Sequence, residues 1–155
     1  MEGTPAARNF KHACSVFLKD LEALPEEAFC RKFGPATRTV ADIVFEVNMV
    51  NDHAGGVMKD GKVPFDWPEN AGWIHATPEF CAKEVIVDAF QKSTQPLIDA
   101  AMSYSEENMQ AKVMDDSGET TREAKCRFMT LHLWYHSGQL NFIQTLLGDT
   151  EWHWK

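Results

Sequence analysis

The chain has 155 residues, 44% hydrophobic and 25% charged, proportions that suit one soluble globular domain, expected to span residues 1–155, with a core of its own. A formal net charge of −8, without any lysine or arginine cluster, speaks against phosphate-backbone binding, so no nucleic acid is expected as a partner. No apolar run approaches the roughly 20 residues of a membrane helix, and the start Met1-Glu2-Gly3-Thr4-Pro5 lacks a signal-peptide apolar core, so no membrane partner and a cytoplasmic setting are expected.

The first helix is predicted from about Pro5 to Leu24, with Phe10, Cys14, Phe17, Leu21 and Leu24 at helical spacing and Pro25 closing it. Pro25 to Phe29 reads as a short extra turn, and Gly34-Pro35 breaks the chain again. The second helix opens at Thr37 or Thr39 and runs to about Ala54 on an apolar face of Val40, Ile43, Val44, Val47 and Val50. Gly55-Gly56 is expected to end it. Residues 57–77 read as loop, and its Phe65, Trp67 and Trp73 are expected to pack over one end of the molecule.

The third helix is expected to begin at Thr77-Pro78-Glu79 and to reach about Met102 with a kink at Pro96. Residues 105–120 are polar, with a turn at Asp115–Gly118, and the fourth helix runs from Thr120 or Thr121 to Gly148. Strand pairing, if any, is confined to the loops. The fold class is therefore all-α, a four-helix bundle. The linker between the second and third helices can cover ~65 Å, against ~30 Å for a 20-residue helix, so it allows a long crossover that leaves them parallel. Cys14, Cys30, Cys81 and Cys126 are widely spread with no CxxC and read as free thiols rather than a disulfide framework.

His132 and His136 carry the most chemistry. They are four residues apart in the last helix, so both imidazoles project from one face and can hold one metal ion. Phe128, Gln139, Ile143 and Leu146 fall within about 40° of His132 at 100° per residue, which places the pair on the stripe expected to face the core. Two buried neutral imidazoles need partners for their ring nitrogens, and a metal supplies one to both. A catalytic metal usually takes three protein ligands, and the candidates for the third are Glu46, His53 and His75. Gln139 shares the histidine face and is expected to hydrogen-bond a ligand or to orient an imidazole.

The stretch Thr39-Val40-Ala41-Asp42-Ile43-Val44-Phe45-Glu46, followed by His132-Leu133-Trp134-Tyr135-His136-Ser137-Gly138-Gln139-Leu140 and Leu146-Leu147-Gly148-Asp149, resembles the DinB-like family of damage-inducible proteins. The resemblance runs from Phe17 to Gly148, and His136-Ser137-Gly138-Gln139-Leu140 is its most specific part. It implies up-down-down-up connectivity, frequent homodimers and a divalent metal held by three histidines. His132 and His136 match the paired histidines; Glu46 stands where the family has the other one.

Three readings of that departure stay open. Glu46 is the third ligand of a two-histidine, one-carboxylate site for zinc, nickel, iron or manganese. Alternatively the metal is lost and Glu46 accepts a hydrogen bond from His132 or His136. In the third reading His53, two turns further along the helix, replaces it. The resemblance implies a metal-dependent enzyme working on a small molecule with a low-molecular-weight thiol, as an S-transferase or isomerase, and metal-assisted hydrolysis suits the same site. The alternative is a non-enzymatic dimeric bundle that binds a small ligand or serves a stress response with a degenerate metal site. Outside the site, His12 reads as exposed, Trp134 and Tyr135 as packing or dimer residues pointing away from the histidines, and the tail Glu151–Lys155 as docked on the bundle or a second subunit.

Overall fold

The computed structural model describes residues 2–60 and 72–155. Helix α1 (Pro5–Ala23) starts where its signals place it: Thr4 Oγ1 accepts from the Ala7 N–H at 3.3 Å, with proline in the first turn. The expected extra turn is a single 3₁₀ turn at Glu26–Ala28. Helix α2 (Val40–Asp60) begins with a reciprocal cap, in which Thr39 Oγ1 accepts from the Asp42 N–H (3.0 Å) and Asp42 Oδ2 accepts from the Thr39 N–H (2.9 Å).

Gly55-Gly56 does not end α2, contrary to expectation; the helix runs on to Asp60 and buries Val57 and Met58. A Cβ on Gly55 would stand 2.6 Å from Leu97 Cδ2, so glycine there serves close helix approach rather than termination. Helix α3 (Lys83–Ser103) also departs from its signal by starting six residues after Thr77. Thr77 opens only one turn, closed by the Phe80 N–H on its carbonyl (2.9 Å). Beyond it the chain is fixed by other partners, for Lys83 Nζ reaches the carbonyls of Leu24 (2.6 Å) and Glu22 (2.7 Å). Cys81 is joined to Cys30 in a disulfide with Cα atoms 5.7 Å apart, which corrects the reading of four free thiols. Cys14 and Cys126 remain free and buried, and burial pushes both thiols up, Cys126 to about 12.

After the short helix α4 (Glu106–Gln110), strands β1 (Lys112–Asp115) and β2 (Gly118–Thr121) form an antiparallel hairpin about Asp116-Ser117. Thr121 then caps α5 (Arg122–Leu146) by accepting from the Ala124 N–H, and Gly148 follows it at φ 86°.

Specific pairs fix the directions of the four long helices. Cys126 Sγ lies against the Ala6 carbonyl and Ser137 donates to Asp20, so α1 and α5 run parallel. The Phe17 ring packs tilted against Phe90 (4.9 Å) while Gly3 lies against Met102, so α3 is antiparallel to α1. Ser93 donates to Asn48 (2.7 Å) and Leu97 meets Gly55, which makes α2 and α3 parallel. Arg122 Nε reaches the Met58 carbonyl (2.6 Å) while Glu46 meets His132, so α2 and α5 are antiparallel. The connectivity is up-down-down-up, with residues 61–82 as the crossover between the two parallel helices.

Phe65 and Trp67 of that crossover lie outside the described residues. Trp73 is exposed and lies across the Arg38 guanidinium, 5.1 Å from carbon to ring centroid. The C-terminal tail docks on its own bundle, where Trp154 Nε1 donates to Asp20 Oδ1 (2.7 Å) and the Trp154 ring meets Trp134. Among the described residues no helix is long and apolar enough to cross a membrane.

Candidate metal centre

Glu46 lies in the second turn of α2, and His132 and His136 lie one turn apart on α5; the antiparallel packing of the two helices brings all three into one groove. The atoms that meet are Glu46 Oε1, His132 Nε2 and His136 Nε2. Their separations are 3.3 Å and 3.4 Å from the carboxylate oxygen to the two nitrogens and 3.0 Å between the nitrogens. Donors about 2.0–2.1 Å from one ion at tetrahedral or octahedral angles stand roughly 2.8–3.4 Å apart, so the triangle has the size of a coordination face.

The hydrogen bonds around the triangle support the same donor set. His136, fully buried, donates from Nδ1 to Gln139 Oε1 at 2.8 Å. The neutral ring then carries its lone pair on Nε2, the atom turned to the triangle. One proton on His132 Nε2 can serve Glu46 or His136 but leaves the remaining oxygen–nitrogen contact lone pair against lone pair. A cation at the centre satisfies all three contacts at once. The donor set therefore fits a divalent metal.

Glu46 is half-buried, and its second oxygen is already engaged. Arg38 Nη2 meets Glu46 Oε2 at 2.5 Å and donates to the Asp42 carbonyl at 3.1 Å. The His132 ring and then the His136 ring at its Oε1, joined by the Arg38 charge, outweigh burial and hold Glu46 well below the usual carboxylate range. Arg38 is the functional neighbour that sequence reasoning missed. It sits before the helix, in no motif, and only the turn of the chain into α2 carries it back over Glu46. Its one sequence signal is a lone arginine beside the apolar start of a helix.

Beside the triangle opens a pocket of about 410 Å³ between the start of α2 and the second half of α5. Its wall includes Arg38, Trp73, Tyr135, Gln139, Phe142 and Leu146, so Arg38 and Gln139 each touch both the pocket and a member of the triangle. The stripe predicted to face the core is buried at His136 and Ile143, while Phe128 and Leu146 on it are about half exposed. Tyr135 was expected to point away from the histidines, yet its ring lies 5.0 Å from that of His136 and lines the pocket. Trp134 does turn away, against His12 and Trp154.

The other two candidates go elsewhere. His75 is exposed at the start of α2, 3.4 Å from Asp42 Oδ1. His53 lies further down the groove, its Nε2 3.0 Å from Asp115 Oδ1 and 3.6 Å from Asp116 Oδ2. It belongs to a second cluster, not to the triangle.

No family model matches the sequence, and no curated protein does. Solved structures do. A DinB-like protein from Bacillus cereus matches with a TM-score of 0.69 over 97% of each chain at 15% identity. A conserved protein from Enterococcus faecalis matches at 0.66 over 93% of this chain and 96% of that one, also at 15% identity. This chain has the DinB-like fold. The mycothiol-dependent maleylpyruvate isomerase shares it at a TM-score of 0.66 and 14% identity, over 88% of this chain but only 61% of the isomerase. In this chain the Glu46–His132–His136 triangle of the α2–α5 groove lies beside a largely apolar pocket.

Proposed function

We propose that the protein is a divalent-metal-dependent enzyme acting on a small molecule, with Glu46, His132 and His136 holding the metal. One observation carries the reading: three donors converge at coordination spacing on a pocket whose own residues orient two of them. Gln139 keeps His136 in the tautomer that presents Nε2. Arg38 holds Glu46 by Oε2, so Oε1 is the oxygen that faces the histidines and would help to hold the metal. Phe142 and Leu146 give the pocket an apolar wall.

When bound, the metal would supply Lewis acidity that activates a thiol or a water. The fold's occurrence in a mycothiol-dependent isomerase favours a low-molecular-weight thiol as the co-substrate, in an S-transferase or isomerase reaction within the cytoplasm; metal-assisted hydrolysis suits the same arrangement. The arginine also matters to the metal's strength. A carboxylate ligand alone would weaken the Lewis acid, and the guanidinium on its far oxygen returns the ligand set toward neutrality.

The test is the metal content of tag-free protein after loading with limiting zinc, nickel, manganese and iron(II), beside Glu46→Ala and His132→Ala. About one ion per chain in the parent, lost in both variants, is expected. A parent that retains none under every condition refutes the reading. The second reading, a binding bundle without chemistry, draws on the Arg38–Glu46 pair, because a glutamate already held by arginine and two histidines needs no ion to stay charged.

The same reading includes a homodimer. Helix α5 leaves Phe128, Leu131, Tyr135 and Phe142 exposed at steps of three, four and seven residues, the spacing of a helix-pairing seam, and a second copy is the occupant proposed for it. Light scattering should give twice the chain mass for the parent, and the monomer mass for Leu131→Glu combined with Phe142→Glu.

A further inference from the structure

Among the described residues Arg38 is a buried charged side chain with two unpaired donors. Its side chain is 6% exposed, yet only Nη2 is engaged; Nε and Nη1 are buried without a hydrogen-bond partner among the described residues. A buried donor left unpaired costs about 1–3 kcal/mol, more on a charged group, so folded proteins seldom keep two on one guanidinium. Arg38 is one of the residues that line the apolar pocket of about 410 Å³, and Trp73, which covers the guanidinium face, is another. No aspartate or glutamate contributes to the described lining, and the Glu46 carboxylate engages the guanidinium through Nη2.

We propose that Arg38 reads the anionic group of the ligand, and that the pocket takes a small monocarboxylate with an aromatic or branched apolar body. The hydrocarbon packs against Tyr135, Phe142 and Leu146 while a carboxylate oxygen takes the open guanidinium donors. Arg38 is then a specificity residue and not only a clamp on Glu46. A dication held by the neighbouring triangle would strengthen the preference, adding positive charge that Glu46 only partly offsets. The proposal deepens the metal-enzyme reading by naming a substrate class, but its binding step stands without the metal.

That independence shapes the experiment. Calorimetry on the full chain, stripped with chelator, compares 3-phenylpropionate with its neutral amide, two probes of the same body. The parent should bind the carboxylate at least about tenfold more tightly than the amide, the range of one hydrogen bond to a charged group. Arg38→Met should erase that preference, and Arg38→Lys, which keeps a counter-charge for Glu46, should retain part of it. Should Arg38→Met fail to give a cooperative melt, Arg38→Lys decides: an undiminished preference overturns the proposal. Equal affinity for the two probes in the parent overturns it too. So does a preference that appears only after zinc loading and is the same in Arg38→Lys, because the metal would then be the reader. A failure of metal binding, seen separately in the metal content, leaves the chelator-stripped comparison intact.

Discussion

The α2–α5 groove holds two clusters of one histidine-and-carboxylate type, and they are built to opposite ends. In the upper one, Glu46, His132 and His136 aim one oxygen and two nitrogens at a common point, and Arg38 engages only the far oxygen of Glu46. In the lower one, His53 meets Asp115 and Asp116, but Lys125 Nζ closes on Asp115 Oδ2 while Asp115 Oδ1 accepts from both His53 and the Asp116 N–H. Both oxygens of that aspartate are taken, and the place a cation would occupy has an ammonium beside it. Residue type makes each cluster a candidate for metal; the direction of the neighbouring cation separates them. A pocket of about 390 Å³ adjoins the lower cluster as well, so space does not distinguish the two.

The largest effect expected from this contrast is on metal affinity. His136→Ala should weaken zinc binding by more than about 100-fold in a chelator competition, beyond the range of outer-shell changes, while His53→Ala should leave it nearly unchanged. A comparable loss in His53→Ala would erase the distinction. Gln139→Leu comes next: freed from its acceptor, His136 should lose its fixed tautomer and affinity should fall about 10- to 100-fold.

Lys125→Met sharpens the comparison from the other side. It leaves Asp115 without its ammonium in a mostly buried site, and urea unfolding should show a loss of about 2–3 kcal/mol. The smallest effect is in acid. Burial by itself would raise the Asp115 carboxyl, but the bonds from Lys125, His53 and the Asp116 N–H together bring it to about 2. A carboxyl depressed by folding adds stability that is complete above the unfolded value near 3.9 and lost as the pH falls toward 2. Asp115→Asn should therefore flatten the stability curve between about pH 5 and pH 2 by about 1 kcal/mol, solvent screening included.

Local chemistry was legible and tertiary chemistry was not. Pro5, Pro25, Thr121 and Gly148 mark helix ends through chemistry that acts within a few residues, and the structure keeps each of them. Gly55-Gly56 looked like a stop because the reason for a small residue there is Leu97, 42 positions away in sequence. Thr77-Pro78-Glu79 carries a sound capping signature, and a turn does form, but contacts with the segment after α1 delay the helix to Lys83. Within the groove the two histidines announced themselves by spacing, and Glu46 by its place in the resemblance. Arg38 announced nothing, since its meaning lies in which oxygen of Glu46 it touches.

That contact also constrains how such a site can change over generations. A histidine at position 46, the residue implied by the resemblance, would remove the anion that balances Arg38 and leave a guanidinium already short of two partners beside a cation. Losing Arg38 first would free Glu46 to swing or to ligate through both oxygens. Each single step passes through a worse site than either end, so positions 38 and 46 are expected to be exchanged together, as one epistatic unit.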